Sequence, residues 1–266
     1  MKLGFDRIVR FITRVFHMAF QHFMFGLALF SAATVPLVVT LLYRDITDLT
    51  SAGIHPFGVV NIAALQDQLI RFVFVLTLIV SLWVWLVIFA GMILRWQGRD
   101  DGVGACISLA AKSYDRLLGV FLILVFVGGP VVAGTALIAL AAEKQAPILS
   151  TLIYFLSLLS VTWFLVRILP VFAVVLAEEE RGPISCLSRA YSLTKGSGIW
   201  LLVSVAVISI MIALLGVVTE YLSKLTEFGT VLLYLDLVFF QLVLIALFSA
   251  TYMTLVEGEK QQASPQ

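Results

Sequence analysis

The sequence predicts an all-α, polytopic membrane protein with six transmembrane helices and short interfacial amphipathic helices. Three observations carry this. Of 266 residues, 61% are hydrophobic and only 12% are charged, whereas soluble domains carry roughly a quarter of their residues as charges. Six apolar runs reach 18 or more residues, and about 20 residues at roughly 1.5 Å each cross a hydrocarbon core of about 30 Å. No leftover stretch of 50 or more polar residues remains, so residues 1–266 read as one membrane domain with no separate soluble catalytic unit.

The first 22 residues form an interfacial helix. Arg7, Arg10, Arg14, His17 and Gln21 recur at steps of three and four, while Phe5, Ile8, Ile12, Val15, Phe16 and Ala19 take the other side. A cationic face beside a broad apolar one suits the level of lipid headgroups. The other reading is a simple extension of the first span. The charged stretch is too long and too amphipathic for a cleavable signal, so it is expected to be retained.

The first span covers about Phe23 to Tyr43, with a kink at Pro36, since proline removes a backbone donor and clashes with the preceding turn. A long external connection follows from Arg44 to about Gln68. The second span runs over about Phe72 to Leu94, with Trp96 just past its end at headgroup level. A cytoplasmic segment, Arg95 to Arg116, leads to the third span, about Leu117 to Ala142. Within it, GGPVVAG from Gly128 to Gly134 predicts close approach by a neighbouring helix and a bend at Pro130. The loop Glu143 to Pro147 is so short that the third and fourth spans must form an antiparallel hairpin. The fourth span starts near Ile148 and crosses by Pro170, which bends it and lays Val171 to Leu176 along the surface. The fifth is about Ile199 to Val218, the sixth about Thr230 to Leu255, and the tail from Glu257 to Gln266 reads as polar and disordered.

Charge is informative through its placement. The set of connections made by the N-terminus, Arg95 to Arg116, Arg181 to Lys195 and the C-terminal tail holds twelve Lys and Arg, against four on the opposite set. Both termini are therefore expected in the cytoplasm. The net charge of +1, with no strongly basic face and no long basic tail, argues against nucleic acid as the main partner. Cys106 and Cys186 fall on the cytoplasmic side and are expected as free thiols. The sole asparagine, Asn61, lies outside any glycosylation sequon, which fits a bacterial inner membrane.

A shift of 80 positions lays Gly182, Cys186, Ser188 and Ala190 over Gly102, Cys106, Ser108 and Ala110. Each copy follows an acidic step and precedes a span. With the N-terminal helix as a third copy, the chain reads as three units, each an interfacial helix and a two-span hairpin.

The segment from Arg167 through Pro170, Glu178 and Gly182 to Ser188, Leu193, Gly196 and Trp200, together with FSATYMTL around Tyr252, resembles a bacterial multi-pass family. It includes the YciC-like proteins and the membrane domain of some glycerophosphoryl diester phosphodiesterases. The resemblance implies six spans and a proline-containing span that exits through an acidic residue. The catalytic domain of those phosphodiesterases has no counterpart here, so no hydrolase activity carries over.

Five residues stand out as contacts for lipid or ligand: Arg7, Arg10, Arg14, Arg167 and Asp236. A charge inside a span costs about 2.5–3.5 kcal/mol on insertion scales. Arg167 reads either as an anchor snorkelling to the headgroups or as a lipid-phosphate contact. Asp236 lies about six residues into the sixth span. The run Glu178, Glu179 and Glu180 reads as solvated, since neighbouring helix residues diverge and make a metal cage implausible. No HExxH, GxSxG, GxxxxGK[ST] or paired CxxC occurs, so no catalytic set, cofactor or metal is expected. The function expected first is that of a non-enzymatic inner-membrane protein contacting anionic headgroups and organising a membrane or cytoplasmic protein partner. The alternative is a carrier for a lipid or small solute.

Overall fold

A computed structural model describes residues 5–34, 62–99, 102–143, 147–225 and 228–263. Pro36, most of the first external connection and the chain ends lie outside the described residues. The described chain is helical throughout, and no strand occurs in it. Four helices are long and apolar enough to cross a membrane, or five if the bent pair at the N-terminus is one span.

Helix α1, Phe5–Gln21, meets α2, Phe23–Thr34, at 57°. The break at His22 falls where the basic periodicity stops. Phe11, Val15, Met18 and Ala19 form the buried stripe of α1, which packs on the helices α9 and α10 described below. Phe5, at the start of the apolar side, is 75% exposed. Helix α3, Ile62–Trp96, starts within the stretch expected to be loop and runs for 35 residues. Its end carries the core positions Leu86 to Leu94.

Helix α4, Gly102–Ile123, passes through five π-helical residues, Leu124–Gly128, into α5, Gly129–Glu143. Pro130 explains the irregularity: it cannot donate to the carbonyl of Phe126, and its ring displaces that carbonyl, so the preceding turn widens. The expectation of close packing at GGPVVAG is corrected. A Cβ added at Gly128, Gly129 or Gly134 would meet nothing within 4 Å, so these small residues lie at open surface. Close approach occurs elsewhere. A Cβ on Gly119 would sit 2.6 Å from Pro183, one on Gly26 2.6 Å from Leu242, and one on Gly198 2.6 Å from Trp163.

Helix α5 packs on α6, Pro147–Ile168, as the short link required. Leu169 and Pro170 then break the helix before α7, Val171–Ala177. The segment expected along the membrane surface is covered by protein: Val171, Ala173, Val174, Val175 and Leu176 are all buried. Helix α7 touches α3, α4 and α10, and also α8, Pro183–Leu193. It forms the centre of the core. A seven-residue helix that is apolar on every face is covered equally well by lipid or by protein, and its neighbours decide the matter.

Helix α8 ends in a turn at Thr194–Ser197, and α9, Gly198–Leu225, follows. Gly196 sits at φ +79° in this turn, a conformation costing a side-chain-bearing residue about 1–2 kcal/mol. Eighty positions earlier the chain has Arg116, and there α4 continues without a break. Helix α10, Gly229–Ala263, pairs with α9 and extends well past Leu255. The expected disordered tail is thus helical as far as Ala263. Buried residues gather towards the α7 level, whereas Val125, Phe126, Leu137, Ile138, Leu214 and Val217 are exposed, as a lipid-facing belt requires. Three buried hydroxyls, those of Ser204, Ser249 and Thr251, donate to carbonyls one turn back in their own helices.

Candidate functional site

A network of polar side chains lies at one end of the bundle, where α1, α8 and the last turns of α10 meet the exit of α7. Glu178 is the hub. Ala177 ends α7, and the break turns Glu178 inward while Glu179 and Glu180 stay exposed. Its carboxylate pairs with Arg181, and accepts hydrogen bonds from Arg189 Nε at 3.3 Å and from the Tyr252 hydroxyl at 3.4 Å. Its backbone carbonyl accepts from Arg116 at 3.1 Å. The reading of the glutamate run as solvated therefore holds for two of the three residues and is corrected for Glu178.

Arg189 also grips Glu259 with both terminal nitrogens, at 2.9 and 2.6 Å. The bond to Glu259 raises the affinity of Arg189 for its proton above the ordinary guanidinium value, and the same bond holds the Glu259 carboxyl below the usual range. Beyond the apolar run that ends at Leu255, Arg14 forms a matching two-pronged pair with Glu257, and the Trp96 indole donates to Glu257 at 3.0 Å. The hydrogen bond from Arg14, more than any other influence, keeps the Glu257 carboxyl below its ordinary value. Two bidentate pairs thereby fasten the end of α10 to α1 and to α8. Bidentate guanidinium–carboxylate pairs are geometrically specific as well as strong.

Between α1 and the end of α10 lies a groove of about 490 Å³, lined by Arg7, Arg10, Arg14, Glu257, Gln261 and Gln262, among others. Arg14 is neutralised there by Glu257. Arg7 stacks 4.7 Å above the Trp200 ring, and Arg10 donates to the carbonyl of Asp6. Neither Arg7 nor Arg10 has a carboxylate partner among the described residues. The groove thus presents two uncompensated guanidinium groups.

Arg167 is placed differently. It is 8% exposed, at the end of α6. Its Nη1 donates to the Thr194 carbonyl, the Thr194 hydroxyl donates back to the Arg167 carbonyl at 3.0 Å, and its guanidinium lies 4.3 Å from the Tyr191 ring centre. The cation closes the C-terminal turn of α8, where helix carbonyls are unpaired and the dipole is negative. Arg167 therefore acts within the fold, buried between α6 and α8. Asp236, on α10, borders a separate cavity beside α9 and the α1–α2 elbow. The structure brings Arg7, Arg10 and Arg14 together and leaves Arg167 and Asp236 apart from them.

Sequence reasoning missed Glu257, Glu259 and Arg189. Their local signal is weak, because the two bidentate pairs join residues 70 and 243 positions apart. Cys106 and Cys186 are both buried and neither forms a disulfide, and burial pushes the Cys186 thiol up from its ordinary value. Among the described residues no group of three His, Cys, Asp or Glu could hold a metal ion. Comparison of the chain with protein-family models, curated proteins and solved structures gives no match.

Proposed function

We propose that the chain is a six-span protein of the bacterial inner membrane, not an enzyme, whose basic groove holds an anionic lipid headgroup and whose surrounding cytoplasmic face organises a protein partner. The observation that carries this reading is the pair Arg7 and Arg10. Two guanidinium groups without carboxylates line a groove deep enough for a headgroup, and guanidinium matches phosphate geometry. On the other side of the same helix Phe5 and Val9 are exposed, an apolar surface that suits the acyl-chain level.

The six spans in this reading are the segment from about Phe23 to Tyr43, of which α2 is the described part, then α3, the α4–α5 helix, α6, α9 and α10, with α1 as the interfacial helix before them. The 35 residues of α3 support the second span. The twelve-to-four distribution of Lys and Arg supports termini in the cytoplasm. The likeness to YciC-like proteins belongs to the same reading, and Pro170 between α6 and α7, the inward Glu178 and the start of α8 at Pro183 support it.

Orientation is tested with introduced cysteines, because Cys106 and Cys186 are buried and would escape an impermeant thiol reagent from either side. Glu180→Cys should label only in opened cells and Glu220→Cys in intact ones; the reverse pattern inverts the topology. The lipid reading is tested by the anionic lipid retained through purification by the wild type and by Arg7→Gln/Arg10→Gln.

A further inference from the structure

A second site lies away from the basic groove. Where α1 bends into α2, a cavity of about 330 Å³ opens beside the α9–α10 pair, walled by Phe20, Phe23, Phe239 and Leu215, with Asp236 and Thr219 as its polar residues. The Phe20 and Phe23 ring centres lie 5.1 and 6.3 Å from that of Phe239, at angles of 45° and 62°. Non-parallel rings of this kind make an aromatic corner. Asp236 is half-buried in that setting and has no hydrogen bond or ion pair among the described residues.

We propose that this cavity binds an alkylammonium group, with Asp236 as the counter-charge and Phe20, Phe23 and Phe239 as the ring faces. A carboxylate inside a span is costly and is retained where it has a cationic partner. Among the described residues the protein supplies none, and the open mouth of the cavity admits one from outside. The described lining offers one carboxylate, that of Asp236, and one hydroxyl, that of Thr219, whereas calcium wants 6–8 oxygens. An organic cation needs fewer. Aromatic faces attract it through the ring quadrupole, and one carboxylate neutralises it. The volume falls at the small end of the range of about 300–1,000 Å³ for small-molecule sites.

The mouth defines the rest of the ligand. Phe20 and Leu215 are 65% and 40% exposed, and Leu222 continues the same face of α9. An ammonium seated at Asp236 therefore leaves along an apolar surface, and the ligand is an amphiphile with an alkyl tail. A lipid amine headgroup and a free long-chain amine share this chemistry.

The experiment is calorimetric titration of hexyltrimethylammonium into the full chain held in phosphatidylglycerol nanodiscs, with empty discs subtracted and a neutral tert-butyl analogue as control. Saturable binding of the cation alone is expected. Asp236→Asn should weaken it about tenfold or more, Asp236→Glu should retain it, and Phe239→Leu should weaken it about threefold. Competition by phosphatidylethanolamine added to the discs would name a lipid headgroup as the source; lack of competition would name a free amine. Partitioning without saturation, equal binding of the neutral analogue, or equal binding by folded Asp236→Asn would overturn the proposal. The basic groove takes no part in this titration, so the two sites stand or fall separately.

Discussion

Arg14 on α1 and Glu257 near the end of α10, 243 positions apart, face each other in a two-pronged ion pair with N–O distances of 2.9 and 2.8 Å. The pair closes one side of the bundle and fixes the groove wall on which Arg7 and Arg10 stand. Both side chains are partly exposed, which limits its strength to the usual range for such pairs, about 0.2–1 kcal/mol. A double-mutant cycle of Arg14→Gln and Glu257→Gln, read by unfolding in detergent, should give a coupling energy in that range. Zero coupling would show that α1 is held by its apolar stripe alone.

The pH dependence follows from Glu257 and Glu259, whose carboxyls the facing arginines hold below their ordinary values. Their contribution is complete above about pH 4.3, where an unfolded glutamate ionises, and is lost as the pH falls through the lower folded values. Hydrogen exchange in the last turns of α10, corrected for its intrinsic pH dependence, should show constant protection from about pH 7 to about pH 5. Protection should fall in more acid solution. Loss already near neutrality would assign the transition to a histidine.

Arg167 is predicted to be a stability residue. Arg167→Leu removes the charged donor to the Thr194 carbonyl, which keeps only the backbone bond from Ser197 N–H at 3.0 Å, at a cost of about 1.5–3 kcal/mol for a hydrogen bond to a charged group. Arg167→Lys keeps the charge but loses the flat stacking on Tyr191, and should recover only part of it. Thermal unfolding decides this, alongside retained lipid. A folded, fully stable Arg167→Leu that had lost lipid would make Arg167 a ligand contact instead.

Gly119→Val tests the α4–α8 contact. The added Cβ would sit 2.6 Å from Pro183, so one helix must move, with an expected cost of about 1–3 kcal/mol. Gly134→Val, at a position with open space around it, should cost much less. Equal losses would contradict the packing described for the two glycines.

The helical, membrane-embedded character was legible because hydropathy is a local property summed along the chain. The α5–α6 hairpin was legible from the brevity of its link. Burial of α7 was not, since Val171 to Leu176 present apolar side chains on all sides and hydropathy does not separate a lipid-facing run from a core one. The cover over Arg167 was not legible either, because it comes from Tyr191 on α8 and Thr194 in the turn after it, which counting residues along α6 does not reach. The tail read as disordered because Glu257, Glu259 and Lys260 are polar. Their order comes from Arg14, Arg189 and Trp96, which no window of local sequence contains. Arg7, Arg10 and Arg14 were legible as one face by their spacing, although the neutralisation of Arg14 was not.

The most direct test of the lipid reading is native mass spectrometry of the protein extracted in native lipid patches and released from them, comparing wild type with Arg7→Gln/Arg10→Gln. The account predicts an anionic lipid bound to the wild type and lost from the double variant, with folding unchanged. Equal lipid retention by both proteins would contradict it.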